Sequence, residues 1–411
     1  MSSDLKAFGH LIKHNPPLRR LWISNMISML GDWLSYVAVS LISVKQGGSA
    51  VSVALVMVAH TLPLALMSPI SGPLTDRFDR RRLLLWAYGV AGGVTVLMWM
   101  AAGTGSVGWV QALLVLRVLV SGLGMTARTA AIPSLVEPER LHVANALLGL
   151  SWSVLFAAGT ALGGVLAALL GPSEAILLDA LTFVLAAGVV WGLPALPPIS
   201  QGEGVPSPRP GIRQMVEAWR FARPRPTLLV AVLAKSPMGA ANAGVWVTMC
   251  LLAEVRLPGL GAAMALGLFN MLRAVGTGMG PLLPRTWIER VANRGTPLGL
   301  AGAVLFVVFD TPWVALPALV IWGMGSGHNW VSATAQMQAA APGHILGRIT
   351  AFDFLAFSGT QALMALLSGV MIDAVGAPRA GAWLSLSVGL IGWVILWSVA
   401  RRSDQGLSPA T

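Results

Sequence analysis

An ionisable side chain at membrane depth is costly and faces either a cavity or a partner. In this sequence Asp32, Arg117, Lys235, Arg273 and Asp353 each lie within a long apolar run. Asp32 falls near the middle of the first run and Arg117 near mid-depth of the fourth. A carboxylate that alternates between an apolar setting and a neighbouring guanidinium can take up and release a proton. Two readings follow. Either Asp32 is a proton-coupling acid with Arg117 as its partner or as an anion-binding charge, or the two form a fixed buried ion pair. Lys235 in the seventh run, Arg273 in the eighth and Asp353 in the eleventh form a second set. Cations there suit an anionic or catecholate-bearing solute. Alternatively, Asp353 neutralises one of them and leaves no net field. Asp179 lies nearer the outer end of the sixth run and is expected to be hydrogen-bonded locally. His60 and His328 are candidates for a proton relay or for plain packing. Asn329, Trp330, Gln336 and Gln361 would add polar and aromatic surface to a cavity.

The elements that must position these residues follow from composition. The chain has 411 residues, is 55% hydrophobic and carries only 10% charged residues. Its mean hydropathy is +0.74. A soluble domain carries about 25% charge. The deficit runs the whole length, so an all-α integral membrane protein is expected. A spanning helix needs about 20 apolar residues, which gives roughly a dozen helices. Barrel strands would alternate polar with apolar residues, and these runs do not. The spans expected are 19–44, 51–72, 83–103, 109–128, 142–169, 174–194, 227–250, 261–283, 297–310, 313–335, 347–372 and 380–400. The first 17 residues are polar and mixed, so the first run reads as a retained helix and not a cleaved signal.

Charge orients the spans. With the N-terminus inside, 21 of the 27 Lys and Arg residues fall on inner segments and 3 on outer loops. That asymmetry follows the positive-inside rule with both termini cytoplasmic. It also accounts for the net charge of +11 without nucleic acid. The longest polar segment, 197–226, divides six helices from six, giving parts 1–196, 197–226 and 227–411. Within it Ile212, Met215, Val216, Trp219 and Ala222 fall at helical spacing, with Arg213, Glu217, Arg220 and Arg223 between. This predicts an amphipathic helix, on the inner membrane surface or as a solvated linker.

Several function classes drop out. One cysteine, Cys250, excludes an intrachain disulfide and a thiolate cluster. The 16 acids and 6 histidines form no ligand-spaced cluster, so neither a metal nor a membrane enzyme is expected. No Gly-x-x-x-x-Gly-Lys-Ser/Thr loop occurs, so no nucleotide cofactor is expected. The halves also repeat: Gly72-Pro73-Leu74-Thr75-Asp76-Arg77 returns as Gly280-Pro281-Leu282-Leu283-Pro284-Arg285, and Ala158-Gly159-Thr160 as Ser358-Gly359-Thr360. Two parallel six-helix repeats with a cavity at their interface are a transporter architecture.

The hairpin Gly72–Arg82 concentrates charge between the second and third runs. It resembles the signature of the major facilitator superfamily, roughly Gly-x-x-x-Asp-Arg-x-Gly-Arg-Arg, matched by Gly72, Asp76, Arg77, Arg80 and Arg81. Asp79 stands at the usual second glycine. A narrower resemblance is to the bacterial branch that includes the enterobactin exporter and secretion-type facilitators. It rests on Asn25–Asp32, Ile132–Val136, Ala144–Ala146, Gly159–Gly164 and Leu178–Phe183. Thr160 replaces the proline of the fifth-helix antiporter pattern, while Gly163 and Gly164 are kept. The resemblance implies twelve helices in two six-helix pseudo-repeats, working by alternating access as a monomer in a bacterial inner membrane. It implies that the hairpin is a latch for the outward-facing state, with Asp76 paired to nearby arginines. It implies that Asp32 and Arg117 line the cavity and couple protons. The substrate set then comprises Lys235, Arg273, His328, Asp353 and Gln361. Proton-coupled export of a siderophore or drug-like compound is the expected activity; proton-coupled import of a siderophore or metabolite is the alternative.

Overall fold

The computed structural model describes residues 2–197, 212–283 and 295–406. Those residues are almost wholly helical, with no strand among them. Twelve long helices match the expected spans: α1 (Pro16–Gln46), α2 (Ala50–Arg77), α3 (Arg80–Gly103), α4 (Val107–Ala131), α5 (Leu141–Leu169) and α6 (Pro172–Trp191). The second set is α7 (Pro226–Leu233, resuming as Ser236–Arg256), α8 (Gly261–Met279), α9 (Gly295–Val308), α10 (Pro312–Ala340), α11 (Gly343–Val375) and α12 (Pro378–Gly406). Nine of the described spans are long and apolar enough to cross a bilayer, and α9 is the short one, as expected. Part of the central segment and the Pro284-Arg285 end of the repeated hairpin lie outside the described residues.

Local chemistry sets the ends. Asn15 accepts from the Leu18 amide at 3.0 Å, and Ser49 from the Ser52 amide at 3.1 Å, capping α1 and α2. Asp79 caps α3 by accepting from the Arg82 amide at 2.9 Å. The break in α7 has a covalent cause. Pro237 has no N–H to give the Leu233 carbonyl, so the helix interrupts at Ala234 and Lys235 before resuming.

Two short helices border the bundle. Ser2–His14 was not anticipated; its Leu11 is buried against the core that includes Leu18 and Leu21. The amphipathic helix Ile212–Ala222 is present; one side of it packs on the bundle, while Val216 and Trp219 of the expected apolar face are exposed. Ala218 and Ala222 pack with Leu228 and Val232 of α7, Met337 of α10 and Ile345 and Ile349 of α11. Arg348 donates to Glu217 at 2.8 Å and Trp219 lies 6.0 Å from the Phe352 ring.

Within the first half α1 packs on α5 and α6, and α3 on α4 and α6; within the second, α7 packs on α11 and α12, and α10 on α8 and α9. The halves meet along α5 with α8 and along α2 with α11. Glycine makes the first seam possible. A Cβ on Gly164 would lie 2.9 Å from the Gly267 Cα, so neither position accepts a side chain. The second seam is polar. The Asp373 carboxylate of α11 accepts from the Ala50 amide at 2.7 Å and the Val51 amide at 3.1 Å, at the N-terminus of α2. A helix N-terminus carries unsatisfied donors and positive partial charge, so this carboxylate ties one half to the other. Both seams close the face opposite the chain termini. On that face Asp310, between α9 and α10, also accepts from Arg379 and from Arg256 Nε at 3.1 Å. The Arg379 hydrogen bond, then the charge of Arg256, holds the Asp310 carboxyl below its ordinary value. Such a group stabilises above the ordinary carboxylate range, and the contribution fades as pH falls through the folded-state value.

Asp373→Ala removes a cap whose loss costs about 1 kcal/mol. The expected result is roughly fivefold faster hydrogen exchange for peptides covering the N-terminal turn of α2, with the rest of the bundle unchanged.

Candidate functional site

The charged network of the first half is built on three helices. Arg117 of α4 is 1% exposed, and its Nη1 donates to Asp32 Oδ1 of α1 at 2.7 Å and to Asp179 Oδ2 of α6 at 2.7 Å. Asp179 is therefore a correction to the sequence-based expectation. It is fully buried and shares the arginine with Asp32, and its other partners are Ser35 of α1, which donates to Oδ2, and Thr182 one turn along. The rule that an intramembrane acid needs a partner applied to it as much as to Asp32. Its apparent position near a helix end concealed that. Gly31 explains how the acids come so close: a Cβ there would overlap Asp179 Oδ1 and Thr182 Oγ1.

Two carboxylates facing one guanidinium leave either one net negative charge or one shared proton. Burial makes the bare negative charge costly. The side chain of Asp179 has no exposure, whereas that of Asp32 is 29% exposed. Asp32 is thus the member of the network that a proton can reach.

The second set divides. Lys235 Nζ, at the α7 break, donates to Asp353 Oδ2 of α11 at 2.5 Å and lies 4.5 Å from the Trp330 ring centroid. Both partners are buried, so this pair is neutralised within the second half. Arg273 of α8 is different. Its guanidinium lies over Phe156 at 5.3 Å and over Trp322 at 5.0 Å, and it forms no ion pair or hydrogen bond among the described residues. His328 is fully buried where α10 meets Gly280, at the end of α8. Gln361 is 7% exposed on α11 and forms no hydrogen bond with Lys235 or Arg273 among the described residues.

Aromatic rings connect the halves, and apart from His60 the sequence did not single them out. Trp33 of α1 stacks on Phe156 of α5 at 4.2 Å and meets Trp152 at 5.9 Å. Tyr36 of α1 lies 4.9 Å from His60 of α2 and 5.6 Å from Trp246 of α7. Trp33 and Tyr36 follow Asp32 by one and four positions, a spacing that could have flagged them as neighbours of the acid. Nothing in the sequence could have paired them with Phe156 or Trp246. No group of three or more potential metal ligands occurs among the described residues.

The hairpin between α2 and α3 uses other partners than those expected. Arg80 is 2% exposed and donates to Ser134 Oγ at 3.3 Å and to the Pro197 carbonyl at 3.2 Å. Arg81 donates to the Trp191 carbonyl at 2.7 Å. Asp79, the residue at the variant position, also accepts from the Leu196 amide at 2.6 Å. Asp76 and Arg77 are exposed, and Asp76 has no partner among the described residues. The carboxylate that holds the hairpin in this conformation is Asp79.

Arg117→Met leaves Asp179 buried without its cation. A loss of about 3–5 kcal/mol is expected, seen as a lower thermal midpoint in detergent, and Asp179→Asn in the same chain should recover part of it. Asp79→Ala should cost about 1–2 kcal/mol in the same assay, while Asp76→Ala stays within about 0.5 kcal/mol.

A family model described as the Major Facilitator Superfamily matches residues 21–359. The chain is 26% identical to the enterobactin exporter EntS of Citrobacter koseri, over 95% of this chain and 94% of that protein. It is 24% identical to the multidrug efflux pump Tap of Mycolicibacterium fortuitum, over 93% and 95%. The structure is similar to that of a bacterial homologue of the human lysosomal transporter Spinster, with a TM-score of 0.71 at 14% identity, covering 98% and 99% of the two chains. A family match of that extent, on a chain whose helices pair as two six-helix bundles, shows that the protein belongs to the Major Facilitator Superfamily of membrane transporters.

Proposed function

We propose that the protein is a proton-coupled exporter of a small organic molecule, siderophore or drug-like, working by alternating access in a bacterial inner membrane. One observation carries this: Arg117 serves two carboxylates on different helices, and only Asp32 is reachable. Such a network holds a proton on Asp32 in one conformation and can release it when the helices move. Asp32 is the coupling acid and Arg117 its partner, with Asp179 fixing the arginine in place. Export is supported by the printed functions of the EntS and Tap relatives. Import remains the second reading, because helices that rock impose no direction. The family and fold are those of transporters, not enzymes.

In this proposal the termini are cytoplasmic, as the Lys and Arg distribution suggests. The closed face is then the outer one. Gly72, Asp76, Arg77, Arg80 and Arg81 form the latch of the opposite conformation. Two facts support that role. A Cβ on Gly72 would meet nothing within 4 Å here, and Asp76 is exposed without a partner among the described residues. Both are features without a use in this conformation. The chain acts as a monomer on a solute, with protons and the bilayer as its other partners.

Asp32→Asn reconstituted in proteoliposomes should lose accumulation driven by a pH gradient and keep solute exchange at zero gradient. Unchanged, pH-responsive accumulation would sink the coupling assignment. The gradient polarity that drives accumulation distinguishes export from import.

A further inference from the structure

Among the ionisable residues at mid-depth, the charges are accounted for unevenly. Arg117 is matched by Asp32 and Asp179, and Lys235 by Asp353. Arg273 has no carboxylate among the described residues. A guanidinium offers five N–H donors in a plane, and they fit a carboxylate in a two-pronged fashion. Ring faces satisfy part of the charge without using any of those donors. Phe156 and Trp322 do this for Arg273, and its Nε is buried with no acceptor among the described residues. Arg273 as a whole residue is neither fully buried nor exposed.

The surroundings are aromatic and come from both halves. Phe156 under Arg273 continues to Trp33 and Trp152, and Trp33 continues through Tyr36 to His60 and Trp246. Trp33 Nε1 and His60 Nδ1 are further buried nitrogens without hydrogen-bond partners among the described residues. An unpaired cation at one end of an aromatic wall, with spare polar nitrogens along it, calls for a ligand of opposite charge with a flat apolar body. We infer that an organic anion carrying an aromatic ring binds between the halves, with its acid group on Arg273 and its ring against Phe156 and Trp33. This rests on the reading of the protein as a transporter and specifies its cargo. The Lys235 site does not compete, because Asp353 already fills it. An anion on Arg273 and a proton on Asp32 relieve charges of opposite sign, so the two do not compete electrostatically. Exchange then depends on which conformation each occupies.

Three isosteric probes separate charge from shape: 1-naphthoate, its neutral amide 1-naphthamide, and the cation 1-naphthylmethylammonium. Calorimetric titration of the intact protein in lipid nanodiscs should show 1-naphthoate binding about tenfold or more tightly than the amide, with the cation weakest. Arg273→Gln should remove the difference between acid and amide; Arg273→Lys should keep part of it. Equal binding of acid and amide by the unmutated protein overturns the inference, as does tightest binding of the cation or unchanged 1-naphthoate affinity in Arg273→Gln. The comparison of probes on the unmutated protein stands even if a variant fails to fold. Proteoliposome flux of the same probes under a pH gradient of either polarity tests the other level. Binding of 1-naphthoate without flux supports the site and overturns proton-coupled transport. Gradient-driven flux of the cation alone supports transport and overturns the anion site.

Discussion

A charge taken out of water must meet an opposite charge, a proton or a ligand, and the interior of this bundle is organised by that requirement. Arg117 meets it twice over, with carboxylates from α1 and α6 on one guanidinium nitrogen. The arrangement joins three helices of the first half at the depth where hydrocarbon is most hostile to charge. Lys235 and Asp353 meet it once, at a helix break that a single proline creates. Arg273 meets it only with ring faces among the described residues. The first half thus holds a surplus acid and the second an uncompensated cation.

Polar satisfaction also decides which conformation is seen. Asp373 caps the first turn of α2 from the other half, and Gly164 meets Gly267 with no side chain between. Both contacts lie on one face, and both must separate for that face to open. Neither involves a covalent or deeply buried ionic link. Helix-cap interactions of this size, on the order of 1 kcal/mol, suit a seam that opens and closes. The hairpin between α2 and α3 shows the complement. Its Asp79 and Arg80 are engaged within the first half, while Asp76 is exposed without a hydrogen bond or ion pair among the described residues. Where the family pattern has a glycine, this chain has an acid that caps α3 and holds Leu196.

Much of this was legible along the chain. Twelve apolar runs, the uneven spread of Lys and Arg, the dividing segment and the Gly72–Arg82 pattern determine the membrane class and the superfamily. They do so because the hydrocarbon core demands about 20 apolar residues per crossing and excludes charge between them, so the constraint is one-dimensional. The same rule marks Asp32, Arg117, Lys235, Arg273 and Asp353 as unusual before any partner is known. What the tertiary structure alone decides is pairing. Asp179 joins Arg117, Lys235 rather than Arg273 takes Asp353, and Trp33 meets Phe156 across 123 positions of sequence. Ala218 and Ala222 of the amphipathic helix likewise found α7, α10 and α11. Helix rotation and crossing fix those neighbours through packing of many small contacts, and periodicity along one chain carries no record of them.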